Sequence, residues 1–292
     1  MYERHFNLRE KPFQMQPDPD FIYWSRTHSL AYTMLEYGVI NNAGFTVITG
    51  EIGCGKTTLL RFLLSQIEQQ INVGLLSNTQ IREGELLRWI MMTFGRNYEQ
   101  SNDIAAFHDF QEFLIDEYAK GKRVLLIIDE AQNLSQRTLE ELRMLSNINS
   151  EKDQLMQVIL VGQPQLRDLL KSPQLTQFAQ RVTSDFHLTA LNERETVDYI
   201  YHRIEQSGGD RHLFSASAAR LVAAATGGNP RLVNMLCDTA LAYAFSEQRL
   251  SVNVALMQEV MNDKRKYGLF FENQINHEMV GGLAVDDHLP VK

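Results

Sequence analysis

Short aliphatic runs alternate with amphipathic stretches through the first two thirds of the chain. Each run is bounded by glycine or polar residues, which is typical of strands buried on both faces of a parallel sheet. The stretches between them carry apolar residues at helical spacing. The predicted strands are 45–49, 73–77, 124–129, 157–161 and 185–188. The predicted helices are 27–41, 56–69, 83–94, 104–120 and 136–147.

The strand pattern ends near Leu191, and the remaining periodic segments are helical. They are predicted at 193–206, 215–225, 230–247 and 252–263. The third of these helices has a clear start signal, since Asn229 is a favoured N-cap residue and Pro230 is favoured in the first turn. We therefore expect an α/β domain at 26–192 followed by a helical domain at 193–272.

The two ends of the chain differ from these domains. Residues 1–25 contain Pro12, Pro17 and Pro19 among several aromatic residues, which predicts an ordered extended segment packed on a core. Residues 273–292 are expected to be disordered.

Composition narrows the class of protein. The chain of 292 residues carries 28 Lys and Arg against 36 Asp and Glu, a net charge of −8, which disfavours a general nucleic-acid coat. Cys54 and Cys237 are too few for a disulfide scaffold. No apolar stretch approaches the ~20 residues of a membrane-spanning helix, so we expect no intrinsic membrane span and a cytoplasmic location.

A phosphate-binding motif, G-x-x-x-x-G-K-[ST], lies between the first predicted strand and the next helix. Its residues are Gly50, Glu51, Ile52, Gly53, Cys54, Gly55, Lys56 and Thr57, and Thr58 follows. The backbone N–H groups would surround the phosphates of ATP, Lys56 would contact the β- and γ-phosphates, and Thr57 would hold Mg²⁺. Cys54 is either a small filler in this loop or a reactive thiol at a helix N-terminus.

Two carboxylates, Asp129 and Glu130, follow the most aliphatic predicted strand. Asp129 would support Mg²⁺, and Glu130 would activate the attacking water. One strand and its helices separate this pair from the phosphate loop, which favours a sheet in which the acidic strand is not the direct neighbour of the loop strand. Gln132 and Asn133 either line the site or cap the next helix.

With these motifs the chain resembles the bacterial AAA+ ATPases of the general secretion pathway protein A (ExeA/MshM-like) family, which includes ATPases of PEP-CTERM/exosortase loci. The resemblance covers about residues 1–270 and rests on an ordered series of motifs. They are Phe6-x-Leu8-x3-Pro12-Phe13, Pro17-Asp18-Pro19-x-Phe21, His28, Gly44-Phe45-x-Val47-Ile48-Thr49-Gly50-Glu51, Asp129-Glu130-Ala131-Gln132, Val161-Gly162-Gln163-Pro164, Gln180-Arg181-Val182, Leu191-x3-Glu195-x3-Tyr199-Ile200-x2-Arg203 and Gly228-Asn229-Pro230-Arg231.

The resemblance implies an α/β P-loop NTPase (AAA+/ASCE) fold, a parallel sheet with helices on both faces, and a C-terminal helical lid. It implies that Gln163 is the sensor-1 residue and Arg231 is sensor 2. Arg181 would be the arginine finger that acts on a neighbouring subunit. Three alternatives remain open. Gln163 is only a turn former, Arg181 forms a surface ion pair, or Arg203 is the finger instead of Arg181.

Taken together, these features predict Mg²⁺-dependent ATP hydrolysis by a homo-oligomer that forms a ring or hexamer when ATP is bound. The client would be an envelope or inner-membrane protein of a secretion, pilus or polysaccharide-export system, with the ATPase cytoplasmic or peripheral at the inner membrane. The alternative is a DNA-dependent regulator of transposition (TniB/TnsC-like). DNA-stimulated turnover would separate the two.

Overall fold

The computed structural model describes residues 1–67, 70–77, 81–98, 102–148 and 154–268. All five predicted strands are confirmed, and they form one parallel sheet. The strands are β1 (Phe45–Gly50), β2 (Ile71–Leu76), β3 (Arg123–Ile128), β4 (Met156–Gly162) and β5 (Val182–Leu188). Their order is β2-β3-β4-β1-β5, so β4 separates the acidic strand β3 from the loop strand β1, as expected.

Seven helices accompany the sheet between residues 26 and 189 of the described chain. They are α1 (Arg26–Ile40), α2 (Lys56–Gln66), α3 (Leu86–Thr93), α4 (Asp103–Ala119), α5 (Gln136–Leu145), α6 (Pro164–Leu170) and α7 (Thr176–Ala179). The five predicted helices are confirmed. Sequence analysis missed α6 and α7 because seven and four residues are too few to establish a helical period.

Alternation along β3 explains how both faces of the sheet are covered. Val124, Leu126 and Ile128 belong to an apolar cluster shared with residues of α3 to α7. Leu125 and Ile127 are equally buried, and successive side chains of a strand point to opposite faces. Helices α1 and α2 contact β1. A continuous aliphatic run is therefore what a strand between two helical layers requires.

By its contacts the chain divides into two compact units. The sheet unit comprises Arg26–Ile52 and Lys56–Thr189, and the helical unit comprises Met1–Ser25, Gly53–Gly55 and the chain from Ala190 onward. Within the described residues the helical unit contains α8 (Glu193–Gln206), α9 (Ala216–Thr226), α10 (Pro230–Ser246) and α11 (Val254–Tyr267). The expected tail, 273–292, lies outside the described residues. No helix in the described ranges is both long and apolar enough to cross a bilayer.

The N-terminal segment packs among the helices of its own unit. Tyr2, Phe6 and Phe13 are buried in the same apolar cluster as α8 to α11. The ring of Phe13 meets that of Phe214 edge-on, with centroids 5.8 Å apart. Three aromatic residues of this segment are therefore core residues of the helical unit.

Two polar side chains hold the backbone of this segment. The buried Arg203 donates through Nε to the carbonyl oxygen of Pro12, and its guanidinium lies 4.5 Å from the ring centroid of Phe21. Asn234 donates through Nδ2 to the carbonyl oxygen of Gln14 at 3.2 Å. Arg203 is therefore engaged inside its own unit, which argues against it as a finger toward a second subunit.

We predict that Arg203→Met destabilises the helical unit. The change leaves the buried carbonyl of Pro12 without this donor, and we expect the free energy of unfolding to fall by about 2 kcal/mol. Chymotrypsin should also cleave sooner after Phe13, which is buried in the wild type. Denaturant unfolding and timed proteolysis measure both effects. Arg220→Met, at an exposed position of α9, is the matched control, and equal unfolding midpoints of the two variants would exclude the anchoring role.

Candidate functional site

The phosphate loop connects β1 to the first residue of α2, as predicted. Gly53 and Gly55 have φ angles of 83° and 101°, which only glycine adopts without strain. Lys56 is buried, and its Nζ donates to the carbonyl oxygens of Gly50 at 2.7 Å and Glu51 at 2.9 Å. The loop is thus folded around the ammonium group of its lysine.

The remaining loop residues differ in exposure. Ile52 is 56% exposed, whereas Cys54 is fully buried. A reactive thiol needs access to its partner, so burial favours the interpretation of Cys54 as a small filler. Thr57 and Thr58 are half-buried in the first turn of α2.

Gly53 lies against the first turn of α10, where Arg231 is found. The Arg231 backbone N–H donates to the carbonyl oxygen of Gly53 at 3.2 Å. A Cβ added to Gly53 would lie 2.5 Å from Cβ of Arg231 and 2.6 Å from Oδ1 of Asn229. Asn229 also caps the helix by accepting from the Arg231 N–H at 3.1 Å. The structure therefore brings the expected sensor-2 residue next to a glycine of the phosphate loop.

Asp129 leaves the buried end of β3 and contacts the residue expected to share Mg²⁺ with it. Burial raises the pKa of the Asp129 carboxyl above its ordinary value of 3.8. The backbone N–H of Glu130, the charge of Lys56 and a hydrogen bond with the side chain of Thr57 act in the opposite direction. Thr57 and Asp129, which are 72 positions apart in the sequence (129 − 57), therefore meet.

Glu130 has a left-handed backbone, with φ 54° and ψ 36°. This region is uncommon for a residue with a side chain and is enriched at functional sites. A single 3-10 turn, Ala131–Asn133, follows it. Ser135 then caps α5, accepting through Oγ from the N–H of Thr138 at 3.1 Å. Neither of the two polar residues left open by the sequence, Gln132 and Asn133, is the N-cap of that helix.

Gln163 and Gln132 both bind Glu130. The Nε2 atoms of Gln163 and Gln132 donate to Oε2 of Glu130 at 3.1 Å and 2.6 Å. Gln163 stands at the N-cap position of α6, but its side chain makes no capping hydrogen bond. This placement favours a role at the acidic pair over that of a turn former. The sequence left Gln132 undecided because its other partner, the backbone N–H of Gln163, follows a distant strand.

Arg181 follows α7 and contacts the end of another helix. Its guanidinium donates to Oγ of Ser146 at 3.2 Å and to the carbonyl oxygen of Arg143 at 3.5 Å. Both acceptors lie in the last turn of α5 or at its C-cap, where a cation is favoured. Among the described residues Arg181 meets these neutral acceptors and no carboxylate, so the alternative of a surface ion pair finds no support there.

The residues at this edge of the sheet fit a nucleotide with Mg²⁺. Carboxylate and hydroxyl oxygens of Asp129 and Thr57 are ligands that Mg²⁺ prefers. A buried lysine held by two carbonyls, beside a loop with positive φ angles, matches the requirement of a polyphosphate for cations and inward N–H groups. Glu130 and Gln163 add a carboxylate and an amide next to this position. Such a set can support hydrolysis of a phosphoanhydride.

Comparison with known proteins gives the same picture. Residues 40–170 match the family model of an AAA domain. The chain is 36% identical over 247 residues to general secretion pathway protein A of Aeromonas hydrophila, covering 84% of this chain and 45% of the relative. The chain thus spans less than half the length of the curated relative it matches.

Solved structures share the fold at low identity. Cdc6p of Pyrobaculum aerophilum has a TM-score of 0.65 and 14% identity over 88% of this chain and 71% of its own. The ADP form of the ORC2 protein of Aeropyrum pernix has a TM-score of 0.61 and 16% identity over 91% and 73% of the respective chains. At this identity the likeness shows a P-loop NTPase fold alone.

We predict that Asp129→Asn raises the stability of the protein at neutral pH. A group whose pKa is raised on folding contributes stability that is present below its ordinary pKa and lost as pH rises through its folded pKa. Ionised Asp129 therefore opposes folding at pH 7, and the amide removes this effect. Thermal midpoints without added Mg²⁺ or nucleotide should be higher for the variant at pH 7.

The same comparison of thermal midpoints at lower pH tests whether the ionised Asp129 carboxylate causes the difference. The gain should shrink as pH falls toward 3.8, the ordinary pKa of the group. Asp168→Asn, which makes the same chemical change at an exposed position of α6, is the matched control. A variant of Asp129 that is less stable than the wild type at pH 7 would contradict the interpretation.

Proposed function

Because this chain belongs to the AAA+ ATPase family of general secretion pathway protein A, we propose that it hydrolyses ATP with Mg²⁺. One observation carries the proposal: Thr57 and Asp129 meet beside buried Lys56, and Glu130 lies next to them with Gln163 bound to its carboxylate. This is the combination that hydrolysis needs, since cation binding and water activation occur at adjacent residues.

The roles follow from the chemistry of each side chain. Lys56 and the loop N–H groups would bind the phosphates, and Thr57 with Asp129 would hold the metal. When bound, Mg²⁺ neutralises the charge that develops on the phosphoryl oxygens. Glu130 would accept the proton of the attacking water. Gln163 would orient that water or contact the γ-phosphate, and Arg231 would carry the state of the nucleotide to α10.

We further propose that the protein works as a homo-oligomer, a ring or hexamer with ATP bound, and that Arg181 completes the site of a neighbouring subunit. Arginine suits this role because its planar fork binds phosphoryl oxygens in two places. Its acceptors among the described residues, a hydroxyl and a carbonyl, are neutral. An anionic phosphate is a stronger partner than either.

The client of this ATPase is proposed from the relative. The name of the related protein, general secretion pathway protein A, refers to secretion. The alignment with that protein covers 84% of this chain. We propose an envelope or inner-membrane client in a secretion, pilus or polysaccharide-export system, contacted from the cytoplasmic side. Copurification with membranes that contain such a client would support this assignment.

Two variants should separate nucleotide binding from hydrolysis. Lys56→Ala removes the cation of the phosphate loop, so we expect the Kd for ATP to rise about 10- to 100-fold, the range of one charge-assisted hydrogen bond. Glu130→Gln keeps the shape and loses the base, so kcat should fall about 100-fold or more with little change in Kd. Calorimetry and phosphate release measure the two quantities. Unchanged turnover in Glu130→Gln would reject the proposed ATPase mechanism.

The finger assignment predicts an activity that depends on neighbouring subunits. The turnover of the wild type per subunit should rise with protein concentration, and Arg181→Ala should lose about 10³-fold, the lower end for an arginine finger. Ser146→Ala is the matched control, since it removes the hydroxyl that accepts from Arg181 and leaves the arginine in place. If both variants lose activity to the same degree, the role of Arg181 lies within its own subunit.

A further inference from the structure

The side-chain amide of Gln132 is held in one orientation by its neighbours. Its Oε1 accepts from the backbone N–H of Gln163 at 2.9 Å, and its Nε2 donates to Oε2 of Glu130 at 2.6 Å. A backbone N–H can only donate, so the end of the amide that faces it is the oxygen. The NH₂ end then necessarily faces the Glu130 carboxylate. The orientation is thus fixed by chemistry at both ends.

The carboxylate at the other end of this contact is itself constrained. Oε2 of Glu130 accepts from Nε2 of Gln163 at 3.1 Å in addition to Gln132. Two donors on one oxygen restrict rotation about the side-chain torsions. The left-handed backbone of Glu130 is unfavourable and persists only where the surroundings enforce it. The hydrogen bonds to its carboxylate contribute to that enforcement.

Space for the Gln132 amide is provided by a glycine at the end of β4. A Cβ added to Gly162 would lie 3.0 Å from Oε1 of Gln132 and 2.8 Å from a methyl of Leu166. Such approaches are tighter than ordinary van der Waals contact. The absence of a side chain at this position therefore lets the amide reach the N–H of Gln163 and the carboxylate together.

We propose that Gln132 is a positioning residue for hydrolysis: it holds the Glu130 carboxylate in the orientation from which that group accepts the proton of the attacking water. The inference rests on the proposed ATPase function and deepens it, since it adds a residue that acts through the base. A positioned base contributes 10²- to 10⁴-fold to rate, and misorientation loses part of this factor.

The substitution Gln132→Glu tests the donated hydrogen bond with the least change in shape. One carboxylate oxygen can still accept from the Gln163 N–H, but the other cannot donate to Glu130 and places a like charge beside it. We expect kcat for ATP to fall at least about 10-fold. The KM and the calorimetric Kd for ATP should stay within about twofold, because the base acts after binding.

Gln136→Glu is the matched control. It makes the same chemical change at an exposed position at the start of α5 and should keep the kcat of the wild type. If the wild-type protein hydrolyses ATP and the Gln132→Glu variant has the same kcat, the inference is overturned but the ATPase function stands. A parallel loss of kcat and ATP affinity in that variant would assign Gln132 a structural role and also overturn it. No phosphate release by the wild-type protein would overturn both the ATPase function and the inference.

Discussion

The candidate site depends on the direction of three neighbouring strands. In a parallel sheet all carboxyl ends meet at one edge, and β3, β4 and β1 are adjacent in that order. The phosphate loop follows β1, Asp129 and Glu130 follow β3, and Gln163 follows β4. Groups that are far apart in the sequence therefore converge because each lies in the segment that directly follows a buried strand. The position of β4 between the other two explains why Gln163 can contact Glu130.

The same edge carries groups that oppose folding. Asp129 is desolvated, which raises its pKa, Lys56 is a buried cation, and Glu130 has a left-handed backbone. Each is unfavourable by itself, and each is offset by hydrogen bonds within the sheet unit. The strands beneath them are almost entirely buried and aliphatic. The burial of the hydrophobic core thus offsets the unfavourable free energy of the polar groups at this edge. Functional sites commonly reduce the stability of a protein in this way.

How much the sequence revealed depended on the range of the interaction. Strands, long helices and the phosphate loop were predictable because hydrophobic periodicity and a contiguous motif are local signals. The acidic strand was recognisable for the same reason, and the strand between it and the loop indicated the sheet order. The partners of Gln132 and Arg181 were not predictable. Gln132 is oriented by the backbone of Gln163, and Arg181 is bound at Ser146, so both depend on how distant segments fold together. Helices α6 and α7 were missed because they are shorter than the pattern that detects helices.

The helical unit differs from the sheet unit because it is built from segments that are far apart in the sequence. Apolar residues of 1–25 and of the described chain from 190 to 268 form one cluster, and the sheet unit lies between these segments in the sequence. Closing so long a loop costs conformational entropy that only contacts such as Phe13 with Phe214, and Arg203 with Pro12, can recover. It follows that this unit cannot complete its core until the sheet unit has been synthesised. Arg231, which lies beside Gly53 in this unit, is therefore placed only when the two distant segments of the unit have met. The residues of the acidic pair depend only on the sheet.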